Sequence, residues 1–310
     1  MIVARSLRAI RRSVVCGSAV TIGVFDGIHI GHKAVIGRAI EASRKNGLVS
    51  AVLTFDPHPL KLINPSSNVP NLISLDHRIR LIENMGADLT VVLDFTKPVS
   101  RLSPEDFVSD ILIEGMNAKE IYVGENFFFG RNAEAGTREL AEIAGRYGVK
   151  VEVVRPVRRL GVIVSSSAIR RLILNGNIGK AALFLGRPVS VLGTVVKGIS
   201  LARELGFPTA NINPHHEVVP PGGVYAVRVK VADTLKKGVV NIGLRPTFYS
   251  SRDLEPTIEV HIFDFNERIY DQDLEVLFIK KLRDEKRFDD KKALIRQIRQ
   301  DARNALLALI

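Results

Sequence analysis

Two histidines open a predicted helix directly after a predicted strand and a glycine turn. The apolar run 20–25 leads into Asp26 and Gly27, and His29 and His32 follow with Gly31 between them. In this order backbone N–H groups and the positive end of the helix face an anion. Two imidazoles on one face of the first turn can donate to its oxygens, and Gly31 leaves room for a ligand against the backbone. The stretch predicts a site for a chain of phosphates.

Two other interpretations of the His pair remain open. A pair at this spacing, taken alone, is more often structural, or a fortuitous metal pair, than catalytic. No cysteine or further histidine lies nearby at a spacing typical of zinc sites, which makes a metal site the weaker alternative. The strand and turn before the pair favour phosphate binding.

The composition indicates one large or two ordinary globular domains in a reducing compartment. The chain has 310 residues, and its one cysteine, Cys16, excludes a disulfide within the chain. No apolar run approaches the ~20 residues that a membrane span needs. The basic N-terminus lacks the apolar core of a signal peptide, so we expect a cytoplasmic protein.

The net charge of +11 suits anionic partners. The basic residues are spread along the chain and tryptophan is absent, so no base-stacking platform is evident. A nucleic acid, a phosphate-rich small molecule and a plain solvated surface are all compatible with this charge.

The pattern of residues 18–185 predicts a parallel sheet covered by helices on both faces, because apolar runs alternate with amphipathic stretches. Ligands of such sheets bind beyond the carboxyl ends of the strands. Three polar segments, at 25–27, 55–58 and 124–126, follow predicted strands directly and should open onto one crevice. The predicted strands are 19–25, 49–55, 89–95, 120–123 and 150–155, and the predicted helices are 33–46, 75–85, 104–113 and 138–147.

From residue 189 the pattern changes to short alternating strands separated by turns rich in Gly, Pro and Asn, which predicts an antiparallel barrel or sandwich. An amphipathic helix over 290–308 closes the chain. We therefore expect two domains, 1–185 and 186–310. The predicted strands of the second are 189–196, 223–231, 238–242, 257–263 and 274–279, with a hairpin connection at 268–273.

A serine run at 165–167 precedes another predicted helix, at whose start Arg170 lies. The first interpretation of this run is a helix cap. Hydroxyls with an arginine at a helix N-terminus also suit a second anion.

The second domain offers oxygen ligands and a carboxylate. Thr209 and Asn211 follow a loop with glycines and an arginine, and could bind a hard cation, although a barrel turn explains them as well. Glu259 shares a strand face with His261. A carboxylate in a barrel interior is costly unless it is paired or used, and an outward-facing glutamate is the alternative.

These motifs resemble the bacterial bifunctional riboflavin kinase/FMN adenylyltransferase family over nearly the whole chain. Their order and joint presence make the resemblance specific. The motifs are residues 23–32, 54–59, 123–127 and 165–170 in the first domain, and 205–211, 223–225, 241–248, 259–261 and 282–285 in the second.

The resemblance implies a first domain of the nucleotidyltransferase type, with a Rossmann-like sheet, and a kinase barrel with a terminal helix. It implies that ATP phosphorylates riboflavin to FMN in the barrel, and that a second ATP adenylylates FMN to FAD in the first domain, releasing pyrophosphate. Both reactions would need Mg²⁺. The implied partners are these small molecules, with no nucleic acid and no membrane, and the implied state is a monomer or weak homo-oligomer.

The resemblance also assigns roles. His29 and His32 would stabilise the ATP phosphates as FMN attacks, and Glu259 would take the proton from the riboflavin 5′-hydroxyl. Thr209 and Asn211 would hold Mg²⁺. The implied nucleotide- and flavin-binding residues are Gly23, Phe25, Asp26, Gly27, Gly31, Phe55, Pro57, His58, Asn126, Ser166, Ser167, Arg170, Gly198, Arg203, Gly206, Pro208, Asn241, Arg245 and Arg283.

Leu201 and Ala202 depart from the family pattern, which usually has a basic residue and a glycine there, and Phe128 replaces a frequent polar residue. An alternative is therefore an FMN adenylyltransferase whose barrel binds flavin with a weak or inactive kinase. A basic flavin- or nucleic-acid-binding regulator without turnover is a second alternative, motivated by the charge.

Overall fold

A computed structural model of the chain describes residues 1–10, 13–64, 70–197, 207–215, 217–232, 234–247 and 250–310, with the backbone alone for 244–247 and 250–256. The described residues form two compact units. The first comprises Met1–Val69 and Leu75–Ser165, and the second comprises Pro70–Ser74 and Ser166–Ile310.

The first unit is built on a six-stranded sheet in which every pairing is parallel, in the order β1-β4-β3-β2-β5-β6. This confirms the predicted sheet. The strands are β1 (Ile2–Ala4), β2 (Ser18–Ile22), β3 (Val49–Asp56), β4 (Leu89–Asp94), β5 (Ala118–Gly124) and β6 (Lys150–Val154), and the hairpin β7 (Arg158–Arg159) and β8 (Val162–Ile163) follows.

Helices pack on both faces of this sheet because alternate strand residues are apolar on each side. Ala19 and Tyr122 pack against α2 (Ile30–Asn46), while Val20 and Ile121 belong to the larger core on the other face. The remaining helices of the unit are α1 (Leu7–Ile10), α3 (Pro59–Ile63), α4 (Leu75–Glu83), α5 (Pro104–Asp106) and α6 (Thr137–Arg146), with 3₁₀ turns at Val99–Arg101 and Arg131–Ala133.

One predicted helix differs in geometry. The segment predicted as a helix over 104–113 is a single α turn, capped by Ser103, followed by a π-helix at Phe107–Gly115. The π-helix buries Phe107, Val108, Ile111 and Leu112 against the sheet. Burial of this face outweighs the less regular hydrogen bonding.

The second unit contains a closed antiparallel barrel in the order β10-β13-β12-β11-β14-β9, which confirms the predicted barrel. Strand β10 was not predicted; it closes the barrel by pairing with both β9 and β13. The strands are β9 (Val189–Val196), β10 (Ala210–Pro214), β11 (Gly223–Val231), β12 (Thr234–Thr247), β13 (Ser250–Ile262) and β14 (Asp273–Arg283), and the helices are α7 (Ser166–Leu174), α8 (Ile178–Leu185) and α9 (Lys291–Ala308).

The terminal helix α9 covers the outer face of the barrel. Ala305 of this helix and Leu309, which directly follows it, pack against Val224, Ala226 and Val239. No helix in the described part of the chain is long and apolar enough to span a membrane.

Candidate active sites

The first candidate site lies where β2 ends and α2 begins. The chain turns there through Phe25, with φ of 52°, and Gly27, with φ of 92°. A φ near +92° suits glycine, which has no Cβ to clash with the backbone. The turn buries the Phe25, Asp26 and Ile28 side chains and leads directly to His29, the N-cap of α2. Gly23 precedes the turn, with the Phe25 ring 3.0 Å from where its Cβ would lie.

His29 and His32 form a stacked pair on the first turn of α2. Nδ1 of His29 accepts the backbone N–H of His32 at 3.2 Å, and the two ring centroids are 3.5 Å apart. Phe25 meets the His32 ring edge-on, with centroids 5.3 Å apart. Because His29 Nδ1 is an acceptor, the neutral ring carries its proton on Nε2.

His32 is a neutral imidazole at neutral pH. Burial, followed by the neighbouring His29 and the cation of Arg78, holds the pKa of His32 well below its ordinary value of 6.5. Its Nδ1 atom is buried with no hydrogen-bond partner among the described residues. Neutral N–H donors at a helix N-terminus suit an anion such as a phosphate.

Gly31 lies close against the ring of His29. A Cβ at Gly31 would lie 3.1 Å from His29 Cε1, 3.2 Å from His29 Nδ1 and 4.0 Å from the carbonyl oxygen of Val164. The sequence predicted that Gly31 leaves space for a ligand; in the structure the imidazole of His29 lies against that position.

The other predicted segments of the crevice end the two strands beside β2. Thr54 Oγ1, near the end of β3, donates to Val24 O at 3.1 Å and joins the exits of β3 and β2. The peptide bond between Asp56 and Pro57 is cis. His58 Nδ1 caps α3 by accepting the N–H of Leu60. Asn126 is exposed just after β5. Since β3, β2 and β5 are adjacent and parallel, their exits share one edge of the sheet.

A buried arginine at this edge was not predicted. Arg78 of α4 is 1% exposed, and its Nη1 donates to Thr54 Oγ1 at 3.0 Å and to Phe55 O at 3.1 Å. Burial lowers the pKa of Arg78, while the carboxylates of Asp26 and Asp56 raise it. Arg78 lies four residues before the buried Ile82 and therefore on the same face of the helix. This spacing is the sequence signal that could have indicated that Arg78 is buried.

The predicted serine and arginine residues open α7 in the second unit. Ser166 begins the helix, Ser167 is exposed, and Arg170 Nε donates to the carbonyl of Pro70 at 2.8 Å. Their assignment to a pyrophosphate stays a prediction.

The second candidate site is a row of side chains across the barrel. In the strand register Asn211 of β10 lies opposite Glu259 of β13, and Glu259 lies opposite Asn241 of β12. Asn241 in turn lies opposite Val224 of β11, which lies opposite Arg283 of β14. Residues so widely separated in sequence thus share one row.

Glu259 faces outward. Its neighbours Ile258 and Val260 are buried, and alternation places Glu259 on the opposite face. That face includes Val239 and Val224, which pack against α9 outside the barrel. The outward orientation, one of the two that the sequence left open, brings the carboxylate beside two asparagines.

Arg283 is held by the terminal helix. It donates from Nε and Nη2 to Asp301 at 2.7–3.0 Å, and from Nη1 to Asp284 O at 2.9 Å. The Asp301 partner lies 18 residues away on α9. The flavin contact implied for Arg283 stays a prediction.

A cavity of about 290 Å³ adjoins the predicted magnesium residues. Pro208, Thr209 and Asn211 line one side, and the segment 265–270 lines another. His261 Nδ1 lies 2.8 Å from the carbonyl of Pro208, so this nitrogen carries the proton and fixes the entry to β10. The sequence analysis predicted no binding role for residues 265–270.

Four predicted binding residues have no described side chain. Gly198, Arg203 and Gly206 lie outside the described residues, and the side chain of Arg245, on β12, is not described. The departures Leu201 and Ala202 also fall outside them.

Comparison with known proteins assigns a family to each part of the chain. Residues 12–168 match the FAD synthetase family model, and residues 185–309 match the riboflavin kinase model. A curated protein of Bacillus subtilis named bifunctional riboflavin kinase/FMN adenylyltransferase is 35% identical over 93% of this chain and 92% of its own length. The protein of that name from Escherichia coli strain K12 is 34% identical over 92% of this chain and 90% of its own.

The fold is also found among solved structures. A crystal structure described as a macrolide-efflux protein from Streptococcus pneumoniae is 30% identical, with a TM-score of 0.79 over 97% of this chain and 96% of its own. The two family models together match most of the chain, and the relatives in two bacteria carry the same pair of activities in their name; the chain belongs to the family of bifunctional riboflavin kinase/FMN adenylyltransferases.

Proposed function

We propose that the chain makes FAD from riboflavin in two steps, each in its own unit. The barrel unit phosphorylates riboflavin to FMN with ATP, and the α/β unit adenylylates FMN with a second ATP. The observation that carries this proposal is that the two family models match separate parts of the chain, each with its own candidate site.

In the adenylyl transfer, an oxygen of the FMN phosphate attacks the α-phosphorus of ATP. The bond from that phosphorus to the bridging oxygen breaks, and pyrophosphate leaves with the electron pair. His29 and His32 donate N–H groups to the phosphate oxygens at the positive end of α2, where charge grows in the transition state. Asn126 contacts a phosphate of the nucleotide or flavin.

In the kinase reaction, Glu259 accepts the proton of the riboflavin 5′-hydroxyl. The oxygen then forms a bond to the γ-phosphorus of ATP, and ADP leaves with the electrons of the broken bond. The row places Asn211 and Asn241 on either side of Glu259, so that both amides can orient the groups that react.

Thr209 and Asn211 suit Mg²⁺ because hydroxyl and amide oxygens are hard ligands. Both line the cavity of about 290 Å³, which we assign to ATP. Bound there, Mg²⁺ would neutralise charge on the ATP phosphates. The other partners we propose are small molecules rather than nucleic acid, in a cytoplasmic enzyme that is monomeric or weakly self-associated.

A product assay tests the proposal. The purified chain is incubated with Mg²⁺, ATP and either riboflavin or FMN, and the flavins are separated by chromatography. We expect wild type to form FAD from both, His29→Ala to stop at FMN, and Glu259→Ala to convert added FMN but not riboflavin. Each variant controls for the folding of the other.

Two outcomes would contradict the proposal. Conversion of FMN but not riboflavin by wild type would favour an enzyme with adenylyltransferase activity alone. Leu201 and Ala202 would then be the first residues to replace by the basic residue and the glycine that are usual in the family. No flavin product, together with a salt-dependent affinity for RNA or DNA, would favour a binding protein.

A further inference from the structure

A charged side chain that is almost fully buried lies beside the first candidate site. Arg78 is 1% exposed, among the most buried large side chains of the described residues. Its Nη1 has two acceptors, but its Nε is buried with no hydrogen-bond partner among those residues. An apolar residue of similar volume usually serves better in such a place, unless the charge is used.

The hydrogen bonds of Arg78 connect the exits of two neighbouring strands. Arg78 Nη1 donates to Thr54 Oγ1, and Thr54 Oγ1 donates to Val24 O. Arg78 also binds the carbonyl of Phe55 directly. One guanidinium therefore fixes the loops that carry Asp26 and Asp56.

The charge of Arg78 acts on both loops. The carboxylates of Asp26 and Asp56 stabilise the guanidinium, and the guanidinium opposes protonation of His32. His29 is the other titratable group that acts on His32. The neighbourhood of His32 thus contains a permanent cation, while the imidazole itself stays neutral.

We propose that Arg78 is a positioning residue of the adenylyl-transfer site: it fixes the two loops at the ends of β2 and β3 and supplies a constant positive charge behind His32 for the ATP phosphates. This inference rests on the proposed FMN adenylylation. The two kinds of residue then have different roles: His29 and His32 donate hydrogen bonds, and Arg78 supplies the positive charge that the neutral imidazoles lack.

Three variants of α4 test the proposal. Arg78→Met removes the charge, Arg78→Lys keeps it with fewer donors, and Arg80→Met changes an exposed arginine two residues along the same helix. FAD formation from FMN is measured against ATP concentration and pH, and phosphorylation of riboflavin is measured on the same samples.

We expect Arg78→Met to lower kcat/KM for ATP in FAD formation by about 100-fold, the loss typical of a misplaced site, with riboflavin phosphorylation unchanged. The acid limb of its pH profile should move to higher pH, because loss of a nearby cation raises the pKa of His32. Arg78→Lys should lose about 10-fold without moving that limb, and Arg80→Met should behave as wild type.

FAD formation by Arg78→Met within threefold of wild type would overturn the inference. If the methionine variant fails to fold, Arg78→Lys decides, and wild-type FAD formation by the lysine variant would show that the forked contacts do not matter. The wild-type arm reports the proposed function separately: absence of FAD there defeats the adenylylation itself, whatever the variants do.

Discussion

The two imidazoles at the start of α2 have protonation states that their positions impose. His29 accepts the N–H of His32, which requires an unprotonated Nδ1 on His29. His32 is disfavoured as a cation by burial, by His29 and by Arg78. At the residue scale the pair is therefore a set of hydrogen-bond donors rather than a charge.

We expect His32 to stay neutral at pH values where a free histidine is half protonated. Its pKa is lowered from 6.5, so the native ring takes up a proton only well below that pH. The unfolded chain binds the proton first, and the free energy of unfolding should fall as pH drops below about 6.5. Imidazole ¹⁵N spectra, assigned with His32→Gln, measure this; a midpoint at or above 6.5 would contradict it.

Glu259→Gln should abolish riboflavin phosphorylation while leaving adenylylation of added FMN intact. Glutamine keeps the size of the side chain in the row but cannot accept the proton, so we expect a loss of about 10²–10⁴-fold in kcat. Initial rates of FMN formation test this. A loss confined to KM would assign Glu259 to substrate binding.

The spacing of His29 and His32 predicted that both lie on one face of the first turn of α2, and their rings stack there. The sequence could not predict Arg78, because its burial depends on how α4 packs. It also could not show that Asp301 holds Arg283, since the two approach only after α9 folds onto the barrel.

At the scale of elements, α2 owes its position to its cap. The sequence predicted a start at 33, and the helix begins at Ile30 because the side chain of His29 caps it. The segment at 210–214 was missed as a strand because its polar and proline residues resemble a loop. Pairing with β9 and β13 makes it a strand nonetheless.

Gly31→Ala should damage the adenylyl-transfer site without unfolding the chain. Its Cβ would lie 3.1 Å from His29 Cε1, so the ring must shift. We expect FAD formation from FMN to fall about 10- to 100-fold, with riboflavin phosphorylation unchanged.

Gly37→Ala on the same helix is the control, because no atom outside the local helix lies within 4 Å of its Cβ position. It should leave both activities intact and stabilise α2 by up to ~1 kcal/mol. If the two alanine variants had equal effects on FAD formation, the effect of Gly31→Ala would come from helix propensity and not from contact with His29.

At the scale of the whole molecule, one short segment belongs to a unit distant from it in sequence. Pro70–Ser74 groups with the second unit, where Glu217 accepts the N–H and the hydroxyl of Ser74 at 2.8 and 2.7 Å. The other Glu217 oxygen accepts the N–H of Leu192 at 3.0 Å. No local pattern could predict this pairing. The predicted domain boundary after 185 stays a prediction.

Ser74→Ala should destabilise the second unit. It removes a hydroxyl from a carboxylate that is 6% exposed, which costs about 1–3 kcal/mol. The midpoint temperature of the calorimetric transition of that unit should fall by about 2–12 °C. Ser100→Ala, which loses only an exposed local hydrogen bond to Lys97 O, should leave it unchanged; equal shifts would show that the Glu217 contact is not special.

The Ser74–Glu217 contact also sets an order of events during synthesis. The two residues are 143 positions apart, so a ribosome adding about 5–20 residues per second separates their emergence by roughly 7–29 s. During that interval Ser74 is already outside the ribosome and Glu217 has not yet emerged. The second unit can finish folding only with a piece of chain that emerged much earlier, so a transcript encoding 166–310 alone would yield a barrel unit deprived of its early segment.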